Sequence, residues 1–264
     1  MTQRPPAQHG PALSSRPQRH TFRPVKRPTL RQVRRFLLLL ALLGLVGPFV
    51  LILPLNLIQP LTTMVMIRRA GQRLSEGKRP IYPKRDIVGR DELSPHLRRA
   101  VLASEDDRFY LHFGLDFEEI ENALERAKRG RRLRGASTIT QQVAKNVFLW
   151  EGRSFVRKGY EAYLTIVLEI CLSKERILDL YLNLAEWGDG VFGAEMAART
   201  HFKKSAKSLT REEAARLAAI LPAPRRWSPR GSIASARIGT ILARMRYPAP
   251  KEAPPEPRRT RKKT

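Results

Sequence analysis

A chain of 264 residues holds one full-sized domain with appendages and is too short for two. Its 50 Lys and Arg against 24 Asp and Glu give a formal charge of +26, spread as +9 over residues 1–35, +4 over residues 251–264 and +13 over residues 36–250. That excess points to an anionic partner such as phosphate, nucleic acid or an acidic lipid surface, and Cys171, the only cysteine, excludes an intrachain disulfide.

Residues 1–35 are rich in Pro, Arg and Gln and poor in apolar side chains, so they cannot bury enough surface to offset chain entropy; a disordered tail is expected. Residues 36–55 follow without a single charge. As a helix such a run reaches about 30 Å, the hydrocarbon thickness of a bilayer. It is longer than the apolar region of a cleaved signal peptide, and no small-residue cleavage site follows it, so a retained span is expected. Arg31, Arg34 and Arg35 precede it directly. They set the N-terminus on the cytoplasmic side, and Arg68 and Arg69 beyond the span weaken that asymmetry only slightly. Residues 56–84 read as a juxtamembrane segment, residues 85–247 as the main domain and residues 248–264 as a basic, Pro-rich tail.

From about residue 85 the pattern is helical. Ser94 and Pro95 form an N-cap and first-turn proline, opening a helix with Leu97, Ala100, Val101 and Ser104 on one face. Further helices are predicted over 158–172, 175–183 and 234–246. Thr210 and Glu213 form a capping box ahead of a helix over 214–221 that stops at Pro222. Sustained period-two alternation is absent from the sequence, and so is any internal repeat, which makes the fold class mainly α.

Four stretches carry chemistry. Glu105, Asp106 and Asp107 end a helix, where partial negative charge already accumulates, and Phe109, His112 and Gly114 follow. Such a local misfit suggests functional use, although solvated surface acid is the plain alternative. Ser137, Thr138, Thr140, Gln141 and Gln142 enter a second helix, whose N-terminus favours phosphate or sugar hydroxyls; Lys145 shares a face with Gln142. Arg153, Arg157 and Lys158 precede Glu161. Finally, Gly188, Gly190 and Gly193 allow a tight turn or a close backbone approach.

Taken together and in order, these blocks resemble the bacterial peptidoglycan glycosyltransferase family, above all its monofunctional, single-span members. The resemblance covers about residues 85–229. It rests on Glu-Asp-x-x-Phe-x-x-His-x-Gly (105–114), Gly-Ala-Ser-Thr-Ile-Thr-Gln-Gln-x-x-Lys (135–145), Arg-Lys-x-x-Glu (157–161), Lys-x-x-Ile-Leu-x-x-Tyr-Leu-Asn (174–183) and Gly-x-Gly-x-x-Gly (188–193). One departure is visible: Lys203 stands where the family usually has Gly before Lys, which bears on a local turn only.

The resemblance implies a lysozyme-like helical catalytic domain behind a single N-terminal transmembrane helix, in the inner membrane with the domain periplasmic. It implies lipid II as acceptor and a growing glycan on undecaprenyl pyrophosphate as donor. Glu105 is implied as the general base on the acceptor GlcNAc 4-hydroxyl and Glu161 as the second essential carboxylate, near the leaving group directly or through a divalent ion. Lys145 and Arg153 align with positions that contact the donor phosphates, and Arg157 joins them from the same basic cluster. Asp106, Phe109, His112, Ser137, Thr138 and Gln142 are implied to line and brace the cleft. Residues 61–74, apolar then basic, are expected in the membrane interface. No ligand set with metal-site spacing is evident in the sequence, so use of Mg or Mn stays open. No transpeptidase domain is expected after Arg246; cross-linking falls to other proteins, with transpeptidases and the division or elongation machinery as the class of partners.

Three rival readings are weaker. A lysozyme-like glycan hydrolase is disfavoured by the span and by the basic cluster around Glu161, which suits a phosphate leaving group. A catalytically dead scaffold is disfavoured by the presence of both aligned glutamates and Lys145. A nucleic-acid binder lacks a recognition module and would sit on the wrong side of the membrane.

Overall fold

The computed structural model describes residues 29–78, 86–130, 137–150, 152 and 154–246. Most of the tail expected to be disordered and the whole basic C-terminal tail lie outside these residues. The chain divides into two units between Leu43 and Gly44. Of the first unit the described part is essentially the beginning of helix α1 (Leu30–Ile52), with Phe36, Leu37, Leu38 and Leu39 exposed. Continued by a 3₁₀ turn at Leu53–Asn56, this is the one segment among the described residues long and apolar enough to cross a bilayer, Leu30–Asn56. It starts six residues ahead of the uncharged run because Thr29 and Gln32 bond reciprocally around its first turn.

The second unit takes in the rest of α1. Pro48 lies inside the helix and has no N–H, so the carbonyl of Gly44 loses its helical partner. The Tyr160 hydroxyl donates to that carbonyl at 3.4 Å, and the Tyr163 hydroxyl donates to the carbonyl of Leu45. The helix end is satisfied in the same way: Arg176 donates to the carbonyls of Leu55 at 2.6 Å and Ile58 at 2.8 Å. Helix α2 (Met64–Ser75) is capped by Thr63 and buries Val65, Met66 and Arg69 while leaving Ile67 and Leu74 exposed.

The remaining helices are α3 (Pro95–Glu105), α4 (Phe117–Lys128), α5 (Ile139–Phe148), α6 (Phe155–Cys171), α7 (Lys174–Leu184), α8 (Ala194–Phe202), α9 (Arg211–Ile220) and α10 (Ser232–Arg244). The predicted cap at Ser94 and the capping box at Thr210 are both formed. Helix α6 begins three residues before its predicted start because the Ser154 hydroxyl accepts from the N–H of Arg157. Between α7 and α8 the glycine-rich stretch forms a small antiparallel hairpin, β1 (Glu186–Gly188) with β2 (Val191–Phe192), closed by the tight turn that the glycines allow.

Two helix clusters make the core. Helix α3 packs on α9, and α10 covers both. The close approach is possible because α9 presents Ala214, Ala215, Ala218 and Ala219, all buried. Helix α5 packs against α6 and α7, over Ile139, Val143, Leu164, Leu168, Ile177 and Leu178. Lys203, the departure from the family pattern, caps α8 with φ 61, the only positive φ outside glycine among the described residues. A left-handed lysine is held at a cost of about 1 kcal/mol that glycine would not incur.

Candidate active site

Helix α3 ends on Glu105, because the next residue, Asp106, turns out of the helix at φ −165 and ψ 77. The Glu105 carboxylate is half-buried and held at both oxygens. The Ser104 hydroxyl donates to Oε1 at 3.1 Å, and the side-chain amide of Gln142 donates to Oε2 at 3.1 Å. The Gln142 carbonyl accepts in turn from the Tyr181 hydroxyl at 3.1 Å, so the amide can present only its N–H₂ to the carboxylate. Burial raises the pKa of Glu105 above the ordinary glutamate value; both hydrogen bonds and the charges of Arg237 and Lys145 oppose the rise without cancelling it. Tyr181 is pushed well above an ordinary tyrosine by burial and by the neighbouring carboxylates of Glu105 and Asp106, and so remains a donor.

The rest of the first block is a brace. Asp106 accepts from the Ile139 N–H at 2.9 Å through Oδ2, satisfying an orphan donor at the start of α5, and its Oδ1 lies 3.0 Å from His112 Nε2. Thr138 caps α5 and donates its hydroxyl to the carbonyl of Gly114 at 2.6 Å. Gly114 has φ +75, and a Cβ there would lie 2.7 Å from Thr165 Cγ2 and 2.9 Å from Glu169 Cγ, so any other residue is strained there. Phe109 belongs to the brace rather than to the open lining. At 1 % exposure it has no surface to offer a substrate; it packs edge-on against Tyr110 and His112, with the Lys174 ammonium 4.5 Å from its ring centroid. Lys174 also reaches Glu169 Oε1 at 2.8 Å, where the Thr140 hydroxyl donates at 2.6 Å. This buried knot ties α5, α6 and α7 behind the site, and sequence reasoning did not single it out.

Two open cavities flank the Glu105–Gln142 pair, Glu105 lining one and Gln142 the other. One, of about 270 Å³, is mostly acidic: Glu105, Asp106, Asp107, Asp116 and Glu119 line it with Ser137, Thr138 and two cations, Arg126 and Arg244. The other, of about 340 Å³, is cationic: Gln142 and Lys145 share it with Arg68, Arg157, Arg225 and the Trp150 ring. The Glu105–Gln142 hydrogen bond joins the two linings. Lys145 is exposed to the open cleft as a residue, yet the protein around its ammonium lowers its pKa; Glu161 opposes that shift, and Lys158, Arg157 and Arg68 add to it. Lys145 therefore lies within electrostatic reach of both glutamates.

Glu161 is held differently. Only 3 % exposed, it receives Arg157 Nη1 at 2.9 Å and Lys158 Nζ at 2.5 Å. It is not among the residues lining either cavity; one of the two cations it holds, Arg157, is. Each of its oxygens accepts from one cation. Among the described residues no group of three His, Cys, Asp or Glu converges on one point. Arg153 lies outside the described residues. Sequence reasoning also missed Ser104, Tyr181 and Arg237. Each sits within an otherwise apolar helical face, where a polar group calls for a partner.

Residues 71–246 match a family model described as transglycosylase. Over 219 residues the chain is 47% identical to a biosynthetic peptidoglycan transglycosylase of Pseudomonas entomophila (strain L48), covering 82% of this chain and 90% of that protein. A protein of the same description from Pseudomonas putida (strain KT2440) is 48% identical over 202 residues, 75% of this chain and 85% of its own length. A third, from Pseudomonas syringae pv. syringae (strain B728a), is 45% identical over 202 residues, covering 76% and 85%.

Proposed function

We propose, on the premise that this chain belongs to the transglycosylase family and is a peptidoglycan glycosyltransferase, that Glu105 is its general base and that the cationic cleft receives its leaving group. The acceptor is the GlcNAc 4-hydroxyl of lipid II, seated in the acidic cavity. Glu105 takes the hydroxyl proton as the oxygen bonds to the anomeric carbon of the donor MurNAc. The bond from that carbon to the pyrophosphate oxygen breaks, the configuration inverts from α to β, and undecaprenyl pyrophosphate departs with the electron pair. A sugar hydroxyl is a poor nucleophile, which is why positioned proton removal is needed. A raised carboxylate pKa makes a stronger base, and the bonds from Ser104 and Gln142 orient it.

The leaving pyrophosphate is already anionic and needs charge stabilisation rather than protonation. Lys145, Arg157, Arg68 and Arg225 supply it from the lining of the cationic cavity, with Arg153 close in sequence. Glu161 takes part as the counter-charge that orients Arg157 and Lys158, and no step is assigned to a metal ion. Helix α1 is the single-pass anchor, its Arg31, Arg34 and Arg35 holding the N-terminus in the cytoplasm, which puts the catalytic domain on the periplasmic side of the inner membrane. Exposed Ile67, Phe155 and Val156 and the positive charge of the domain suit contact with an anionic bilayer.

The observation that carries this reading is the hydrogen bond between Glu105, in the lining of the acidic cavity, and Gln142, in the lining of the cationic one. Detergent-solubilised chain with Glu105→Gln, fed labelled lipid II, is expected to lose polymerisation by about 10²–10⁴-fold while staying folded. Near-normal polymerisation would remove the mechanism.

A further inference from the structure

Helix α10 buries Ala234, Ile238 and Ile241 on one stripe, and Arg237 projects from that same stripe toward the end of α3. A guanidinium on an apolar face costs desolvation unless something meets it. Here its Nη2 donates to the Ser104 hydroxyl at 3.2 Å, and the Trp227 ring lies 5.6 Å from the guanidinium carbon. Its charge acts on the Glu105 carboxylate beyond that hydroxyl. Ser104 has a single hydroxyl proton and two acceptors at 3.1 Å, Glu105 Oε1 and the carbonyl of Ala218. An N–H entering the hydroxyl oxygen from Arg237 turns that proton toward those two acceptors. A continuous relay results, from Arg237 through Ser104, Glu105 and Gln142 to Tyr181.

We propose that Arg237 is a positioning residue for glycosyl transfer, aligning the Glu105 carboxylate through Ser104 and holding a positive charge behind it. The inference rests on Glu105 acting as the base. Other charged or titratable groups around Glu105 are Lys145 on α5, Tyr181 on α7, Arg244 on α10 and the adjacent Asp106 and Asp107; across the acidic cavity stand Asp116, Glu119 and Arg126. Arg244 is engaged with Asp107 at 3.6 Å and the Ala103 carbonyl at 3.2 Å, and Lys145 faces the leaving-group cleft. Arg237 is the cation that acts on Glu105 from behind.

The sign is fixed. The Arg237 charge favours the ionised carboxylate, so its removal raises the pH needed to ionise the base. Full-length Arg237→Gln, Arg237→Lys, Ser104→Ala and Glu105→Gln are compared with the unsubstituted enzyme for polymerisation of labelled lipid II across pH, with thermal unfolding recorded for each. Arg237→Gln is expected to lose about tenfold in turnover on the acidic side and to recover as pH rises, with KM little changed. Arg237→Lys should restore most of the profile, and Ser104→Ala should displace the acidic limb in the same direction. A uniform loss at every pH, or an unmoved limb, in Arg237→Gln overturns the proposal. If that variant does not fold, an unmoved limb in Ser104→Ala overturns it instead. An active Glu105→Gln refutes the base assignment itself, whereas an inactive one beside an unmoved Arg237→Gln limb refutes only the role of Arg237.

Discussion

Glu105 and Glu161 are two glutamates of one domain held in opposite ways. Glu105 accepts from a serine hydroxyl and a glutamine amide, both neutral, and lines an open cavity. Glu161 is buried between an arginine and a lysine. Neutral donors orient a carboxylate while leaving it free to take a proton. Two cations match its carboxylate and are in turn placed by it. The contrast supports the proposed division into a base and a counter-ion, in the way environment assigns roles to paired carboxylates elsewhere.

Lys145, which feels both glutamates, gives the sharpest way to strain that contrast. Lys145→Ala should lower turnover by about 10²–10³-fold, the scale for loss of one preorganised charge-stabilising donor, and should weaken donor binding. Unchanged donor affinity in a direct binding assay would contradict its phosphate role. Next, Glu161→Gln strands Arg157 and Lys158 without a counter-charge. Discounted because the lysine is half exposed, the loss of stability should be about 2–3 kcal/mol by denaturant unfolding. Glu105→Gln should leave the unfolding midpoint unchanged or slightly raised. Its folded pKa lies above the unfolded one, so the ionised group costs stability, a cost that grows as pH rises from the unfolded toward the folded value. Equal destabilisation by the two substitutions would erase the distinction.

The brace behind Glu105 is tested by Gly114→Ala, where a positive φ and two contacts under 3 Å predict a loss of about 2 kcal/mol with partial loss of activity. A stable and fully active variant would show that the latch to Thr138 is dispensable. The smallest effect is expected far from the chemistry. Lys203→Gly should raise stability by about 1 kcal/mol and leave polymerisation untouched, measured as a shift in Tm.

Much of the fold and of the site is legible in the sequence. The caps at Ser94 and Thr210 mark helix starts because their side chains compete for the same orphan N–H groups in sequence and in structure. The crowding of acids at residues 105–107 and the polar run ahead of Lys145 flag the site because both conflict with ordinary surface patterning. Other elements gave weaker signals. Helix α4 buries only Ala123 and leaves Phe117 and Leu124 exposed, so its apolar period is faint. Helix α8 packs through Ala194, Ala197 and Ala198, which contrast little with their surroundings, and strands of three and two residues are too short to alternate. The burial of Glu161 and the inward turn of Arg237 depend on which helix lies opposite, and that information is held in tertiary packing rather than in local spacing.

The central assignment is tested most directly by the pH dependence of single-turnover glycosyl transfer at saturating lipid II, for the unsubstituted chain and for Glu105→Gln. One acidic limb is expected, lying above the ordinary glutamate range in the unsubstituted enzyme and missing from the residual activity of Glu105→Gln. The same limb surviving unchanged in Glu105→Gln would mean that another group takes the proton.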